Sequence, residues 1–124
     1  MFIDYKKEIE LYKNKYFSIG KIACPFFSNE PIYFTRRGFN HLLRKGRKFR
    51  TISEQINRLR LIEFAPYILS ISKDFEEYII ERDKNNINVI IQSWSFVRYG
   101  LENRKVTLII RQIGNGFKQF YSIF

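Results

Sequence analysis

Residues 104–124 read RKVTLIIRQIGNGFKQFYSIF, and their alternation and turn chemistry decide the fold class. Val106, Leu108 and Ile110 alternate with Thr107, Ile109 and Arg111, the period-two texture of a strand with two unlike faces. GNG at 114–116 reverses the chain, because glycine and asparagine tolerate the backbone angles of tight turns. The segment 117–124 therefore runs back as an antiparallel neighbour. Residues equally far from the turn lie opposite one another, which sets Arg111 near Gln119 or Tyr121.

Working outward, the same texture extends upstream. Phe75, Glu77, Ile79 and Glu81 oppose Glu76, Tyr78, Ile80 and Arg82; DKNN at 83–86 then turns the chain into a long strand over 87–99, and GLEN at 100–103 leads into 104–113. Four strands joined by short loops form an antiparallel meander, since parallel neighbours would need long crossovers.

The earlier part of the chain reads as helix. Tyr5, Ile9, Tyr12 and Tyr16 recur at helical spacing within 4–17. Gly20, Pro25, Ser28, Asn29 and Pro31 break up 18–31, which reads as a connecting segment leading to a short strand at 32–34. Thr35 suits an N-cap for a helix through the basic stretch 35–50, with Gly46 near its end. Thr51 and Glu54 form a capping box before Ile52, Ile56, Leu59 and Ile62, and Pro66 precedes a short buried helical piece over 67–71. The expected architecture is α+β, with N-terminal helices packed on one face of a four-stranded antiparallel meander. At 124 residues this is one domain: an N-terminal helix and connector (1–31), a helical layer (32–72) and the sheet (74–124).

Composition narrows the chemistry. With 45% hydrophobic and 18% aromatic residues the chain folds, so its net charge of +10 is carried on the surface of a packed body. Nucleic acid is the leading partner, ahead of an anionic membrane or an acidic protein. One cysteine, Cys24, forms no internal disulfide, and with one histidine it makes no structural zinc site. No apolar run approaches the roughly 20 residues of a membrane span, and the charged N-terminus lacks a signal core. Cytoplasmic action is expected, with export by a non-classical route left open. P-loop, GxGxxG, GxSxG and HExxH patterns are all missing from the sequence, and Asp4, Asp74 and Asp83 are too scattered to point to a two-metal centre. No cofactor or metal is expected.

The stretch 35–50, TRRGFNHLLRKGRKFR, holds seven basic residues, no acidic one, and the only histidine, His41. Drawn as a helix, it places Arg37, His41, Arg44, Lys45 and Lys48 on one side. Such cations depress an imidazole pKa and keep it neutral near pH 7, the state a general base requires. The same face serves equally as a solvated surface or an anion-binding patch. On the closing hairpin, Arg111, Gln112, Gln119, Tyr121 and Ser122 offer a guanidinium among amides and hydroxyls, a phosphate clamp or an ordinary sheet face. Hydrolysis on a basic surface without metal points to RNA, whose 2′-hydroxyl is a built-in nucleophile.

Two stretches, GFNHLLRKGRKFRTISEQINRLRLI and VTLIIRQIGNGFKQFYSIF, together resemble the phage- and toxin-associated branch of the barnase, EndoU, colicin and RelE-like ribonucleases. The likeness covers about residues 32–124. It implies helices before a four-stranded antiparallel sheet, and metal-independent RNA cleavage by 2′-oxygen attack that leaves a 2′,3′-cyclic phosphate. It also implies catalytic roles for His41, Arg111 and Ser122. Lys45 and Arg44 would stabilise the phosphorane, and Tyr121 or Lys45 would protonate the leaving oxygen. Arg37, Arg44, Arg47, Lys48, Arg50, Gln112 and Gln119 are the expected substrate contacts. The expected partners are tRNA or mRNA and an acidic antitoxin or immunity protein. Rival readings from the same residues are a non-catalytic nucleic-acid-binding module and a phage protein-interaction domain.

Overall fold

Alternation in the last third of the chain produces the meander. In the computed structural model, which describes residues 5–124, Glu77–Arg82, Ile90–Leu101, Arg104–Ile113 and Lys118–Ile123 are consecutive antiparallel strands. The fold is α+β, and its helices are Tyr5–Ile19 (α1), Arg36–Leu43 (α2), Ile52–Leu61 (α3) and Ala65–Ile71 (α4). The Asp4 start expected for α1 lies outside the described residues.

The sheet is larger than the four strands expected. Lys21–Cys24 (β1) and Glu30–Tyr33 (β2) form a hairpin on its edge, and the meander strands become β5 to β8 in the order β1-β2-β8-β7-β6-β5. The sheet is mixed, because β2 runs parallel to β8, with Tyr33 opposite Gln119. Gly20 and Pro25, read as part of a connector, instead bracket β1, while Pro31 lies within β2 opposite Ala23. Pro25 opens a single 3₁₀ turn at Pro25–Phe27, and Ser28 and Asn29 take left-handed angles (φ 56° and 66°) to reverse the chain.

The basic stretch departs from expectation too. Helix α2 stops at Leu43, and Arg44–Lys45 (β3) and Lys48–Phe49 (β4) pair as a separate two-stranded hairpin. Its turn passes through Gly46 at φ 64°, which a side-chain-bearing residue adopts at a cost. Lys45 therefore sits opposite Lys48 on the hairpin, and neither continues the helical row of Arg37 and His41.

Helices and sheet share one core. Tyr16, Ile32, Phe34, Phe39, Leu42, Leu59, Leu61, Ile68 and Leu69 pack with Phe96, Leu108, Ile110, Phe120 and Ile123. Along the sheet, Phe96 pairs with Leu108 and Ile110 with Phe120, so one face is apolar and covered. The alternate positions, Ser93, Ser95, Ile109 and Arg111, belong to the other face. One irregularity matters for function. Ile109 pairs with Ser122 but Ile110 with Phe120, leaving Tyr121 as the extra residue of a β-bulge. The bulge lets Phe120 and Ile123, three residues apart, both enter the core while it re-aims Tyr121.

Candidate functional site

The site is built where α2 crosses β8. Thr35 caps the helix as expected, its hydroxyl oxygen accepting from the Gly38 N–H at 3.3 Å and donating to Gln119 Oε1 at 3.1 Å. The Tyr16 hydroxyl donates to the Thr35 carbonyl at 2.6 Å, so α1, α2 and β8 meet at one residue. Gly38 lets the helix lie directly on the strand. A Cβ there would fall 2.6 Å from the Phe120 carbonyl oxygen.

One turn of α2 after Arg37 comes His41. Its ring stacks on Tyr121 with centroids 4.2 Å apart and planes at 24°. The Arg111 guanidinium also lies 4.2 Å from the Tyr121 ring centre and is paired with Glu81 at 3.3 Å. Arg37, Asn40, His41, Arg44, Gly46, Arg111 and Tyr121 line an open cavity of about 350 Å³. A neighbouring cavity of about 390 Å³ shares Arg37 and Arg111, so the groove continues toward the β5–β6 loop.

Burial, followed by the charges of Arg50, Arg58 and Arg111, pushes the His41 pKa down to about 4. The imidazole is thus neutral near pH 7 and able to accept a proton. The depression has the expected direction, but desolvation leads it, and two of the three cations lie outside the basic stretch. The Arg50 side chain is 5% exposed, donating from Nε to the His41 carbonyl at 3.3 Å and standing 3.9 Å from Glu54. The Gln55 amide holds the Arg50 carbonyl at 2.8 Å.

Of the residues singled out from the sequence, the fold gathers His41, Tyr121, Arg111, Arg37 and Arg44 around one cavity. The others stand elsewhere. Lys45, Arg47 and Lys48 are exposed on the hairpin and do not line that cavity. Arg50 is committed inward. Gln112 donates to the Gly116 carbonyl at 2.9 Å and accepts from Gln92 at 3.3 Å, on the face opposite Arg111. Gln119 serves Thr35. Ser122 is 2% exposed, and its hydroxyl accepts from Arg58 Nη1 at 2.9 Å.

Arg58 and Gln55 were missed as contributors. Their trace in the sequence is slight: they stand three apart on α3, beside the Ile56–Leu59 stripe, where a helix would have served with any polar residue. Among the described residues, no three His, Cys, Asp or Glu side chains come together as metal ligands, and no helix is long and apolar enough to cross a membrane. Comparison with known protein families, with curated proteins and with solved structures yields no match to this chain.

Proposed function

We propose that this protein is a metal-independent endoribonuclease of toxin or phage type, cutting RNA in the groove between α2 and the β7–β8 hairpin. One observation carries the reading: a neutral imidazole stacked on a phenol beside an arginine, in an open cavity lined by two more arginines. The helices and meander fit the barnase, EndoU, colicin and RelE-like architecture, with the β1–β2 hairpin as an addition to its edge.

In this mechanism His41 takes the proton of the ribose 2′-hydroxyl, and the 2′-oxygen forms a bond to phosphorus. The 5′-oxygen departs with its bonding pair and takes a proton from the Tyr121 hydroxyl. The products are a 2′,3′-cyclic phosphate and a 5′-hydroxyl. Arg37, Arg44 and Arg111 balance the charge of the phosphorane, a task worth about 10²–10³ in rate per well-placed donor. Lys45 takes no direct part, and Ser122 acts from beneath the surface, through Arg58. The hairpin cations Lys45, Arg47 and Lys48 grip the RNA backbone beyond the scissile phosphate. The same face is suited to an acidic inhibitor protein, and the protein acts where RNA is found, in the cytoplasm.

The test is incubation with total tRNA and with mRNA in EDTA, followed by mapping of product ends. Cyclic-phosphate ends from the parent protein and none from H41A, with RNA binding retained, are the expected result. A second reading is favoured by the exposed Phe49, on which the Arg44 guanidinium rests at 4.0 Å: a non-catalytic module that stacks bases on this surface. It predicts salt-sensitive binding without any cleaved product.

A further inference from the structure

We infer that Arg58 is a positioning residue, which pins the bulged end of β8 so that Tyr121 stands against His41. The assignment deepens the ribonuclease reading above and rests on it for its effect on rate.

Bulges leave a residue outside the ladder, and its direction must be fixed by something other than strand pairing. At Tyr121 the next three residues supply the fixing. Arg58 Nη1 donates to the Ser122 hydroxyl at 2.9 Å and to the Ile123 carbonyl at 3.4 Å, and its guanidinium lies 5.5 Å from the Phe124 ring centre. Three successive residues after the bulge are thus held by one side chain from α3. On the other side of Tyr121, Gln119 is held by Thr35. Tyr121 sits between two tethers.

Ser122 gains a different meaning from this. Almost wholly buried, with its hydroxyl engaged by a charged donor, it is the receptor for Arg58 and has no access to a phosphate. Bonds from a guanidinium to a neutral hydroxyl and carbonyl are stronger than neutral ones, and leaving Ser122 unpaired in the interior would be costly.

The charged and titratable groups around His41 come from every element that meets it. Arg37 and Arg44 belong to α2 and its end, Arg50 follows β4, Arg58 and Glu54 are on α3, Arg111 is on β7 and Tyr121 on β8. Arg58 therefore acts on the imidazole both through the strand and through its charge, and two variants separate these routes. R58Q removes charge and clamp together. S122A removes one acceptor of the clamp and keeps the charge.

Because His41 is the only histidine, its two ring C–H protons give a single, assignable pair of NMR signals. Stacked on Tyr121, they carry a ring-current shift that reports the contact directly. In folded R58Q and S122A that shift should collapse toward the free-histidine position, less fully in S122A. R58K, which keeps a cationic donor, should restore part of it. The imidazole pKa should rise in R58Q and move little in S122A. Cleavage should lose roughly 10- to 100-fold in kcat with KM little changed, the cost of a misplaced reacting group. Unmoved His41 signals in both variants would overturn the assignment, and S122A decides the matter if R58Q does not fold. Should the parent protein cleave no RNA, the ribonuclease reading falls, while the NMR shifts still decide whether Arg58 positions Tyr121.

Discussion

Replacing Gly38 by alanine tests whether α2 truly rests on β8. Propensity alone forecasts a gain of up to about 1 kcal/mol, since alanine outranks glycine in a helix. The packing forecasts a loss. The added Cβ would stand 2.6 Å from the Phe120 carbonyl oxygen, 2.6 Å from the Tyr16 hydroxyl and 2.9 Å from Phe120 Cδ1. Ordinary contact begins near 3.4 Å, so the helix and strand must part by roughly 0.8 Å. Neither neighbour yields easily. One is sheet backbone, and the other is a phenol bonded to the Thr35 carbonyl and wedged among Phe17, Phe34, Phe39 and Phe120.

Overpacking of this kind costs about 1–3 kcal/mol, and loss of the Tyr16 hydrogen bond adds about 1 kcal/mol. Set against the propensity gain, G38A should be destabilised by about 1–3 kcal/mol. Urea unfolding followed by fluorescence of the single tryptophan, Trp94, measures this, and the melting temperature should drop about 4 °C per kcal/mol. The His41 ring should also lift from Tyr121, giving a weaker ring-current shift. A variant as stable as its parent, or more so, would refute the close approach of α2 to β8.

Other perturbations follow from the same geometry. His41 binds its proton near pH 4 when folded and near 6.5 when unfolded, so in this window the unfolded chain holds more protons. Its contribution to stability is complete above about pH 6.5 and falls as pH drops toward 4, by at most about 1.4 kcal/mol per pH unit. H41Q should flatten that slope in urea midpoints, and parallel curves for the two proteins would contradict it. R111Q should cut kcat by about 10²–10³ in single-turnover cleavage and raise the His41 pKa, since Arg111 both lines the cavity and depresses the imidazole. The triple variant K45A/R47A/K48A should weaken RNA binding and lower the salt slope by up to about 2, at about 0.7 per phosphate contact. Because these side chains do not line the His41 cavity, its NMR titration should stay in place.

The parts of this fold that were legible in the sequence are those set by local counting. A turn of fixed length dictates who faces whom, so GNG narrows the partner of Arg111 to Gln119 or Tyr121, and Gln119 is the one found opposite it. The caps at Thr35 and Thr51 are equally local, each accepting from the N–H three residues on. What escaped depends on contacts distant in sequence. RKGRK reads as well in a helix as in a hairpin, and the choice falls to Gly46 and to Arg50, whose N–H returns to the Leu43 carbonyl at 2.8 Å. The bulge leaves almost no mark, since one extra residue alters only the spacing of Phe120 and Ile123. Gly38 reads as a weak point in a helix, and its necessity is visible only once Phe120 and Tyr16 are placed against it.

The electrostatics of the site favour an anionic ligand whatever reaction follows. Arg50, Arg58 and Arg111 all bear on His41, while Arg37 and Arg44 line the same cavity. Against these stand Glu54, at 3.9 Å from Arg50, and Glu81, at 3.3 Å from Arg111, both reaching in from the periphery with side chains more than half exposed. Like charges held this close repel, and partial burial denies them full screening by water. The fold tolerates that repulsion because packing elsewhere secures each partner. Tyr16 and Thr35 fix α2, the Ser122 and Ile123 oxygens receive Arg58, and the His41 carbonyl receives Arg50. A phosphate entering the cavity would offset the excess charge without any rearrangement, which is the condition for stabilising a phosphorane more strongly than its ground state.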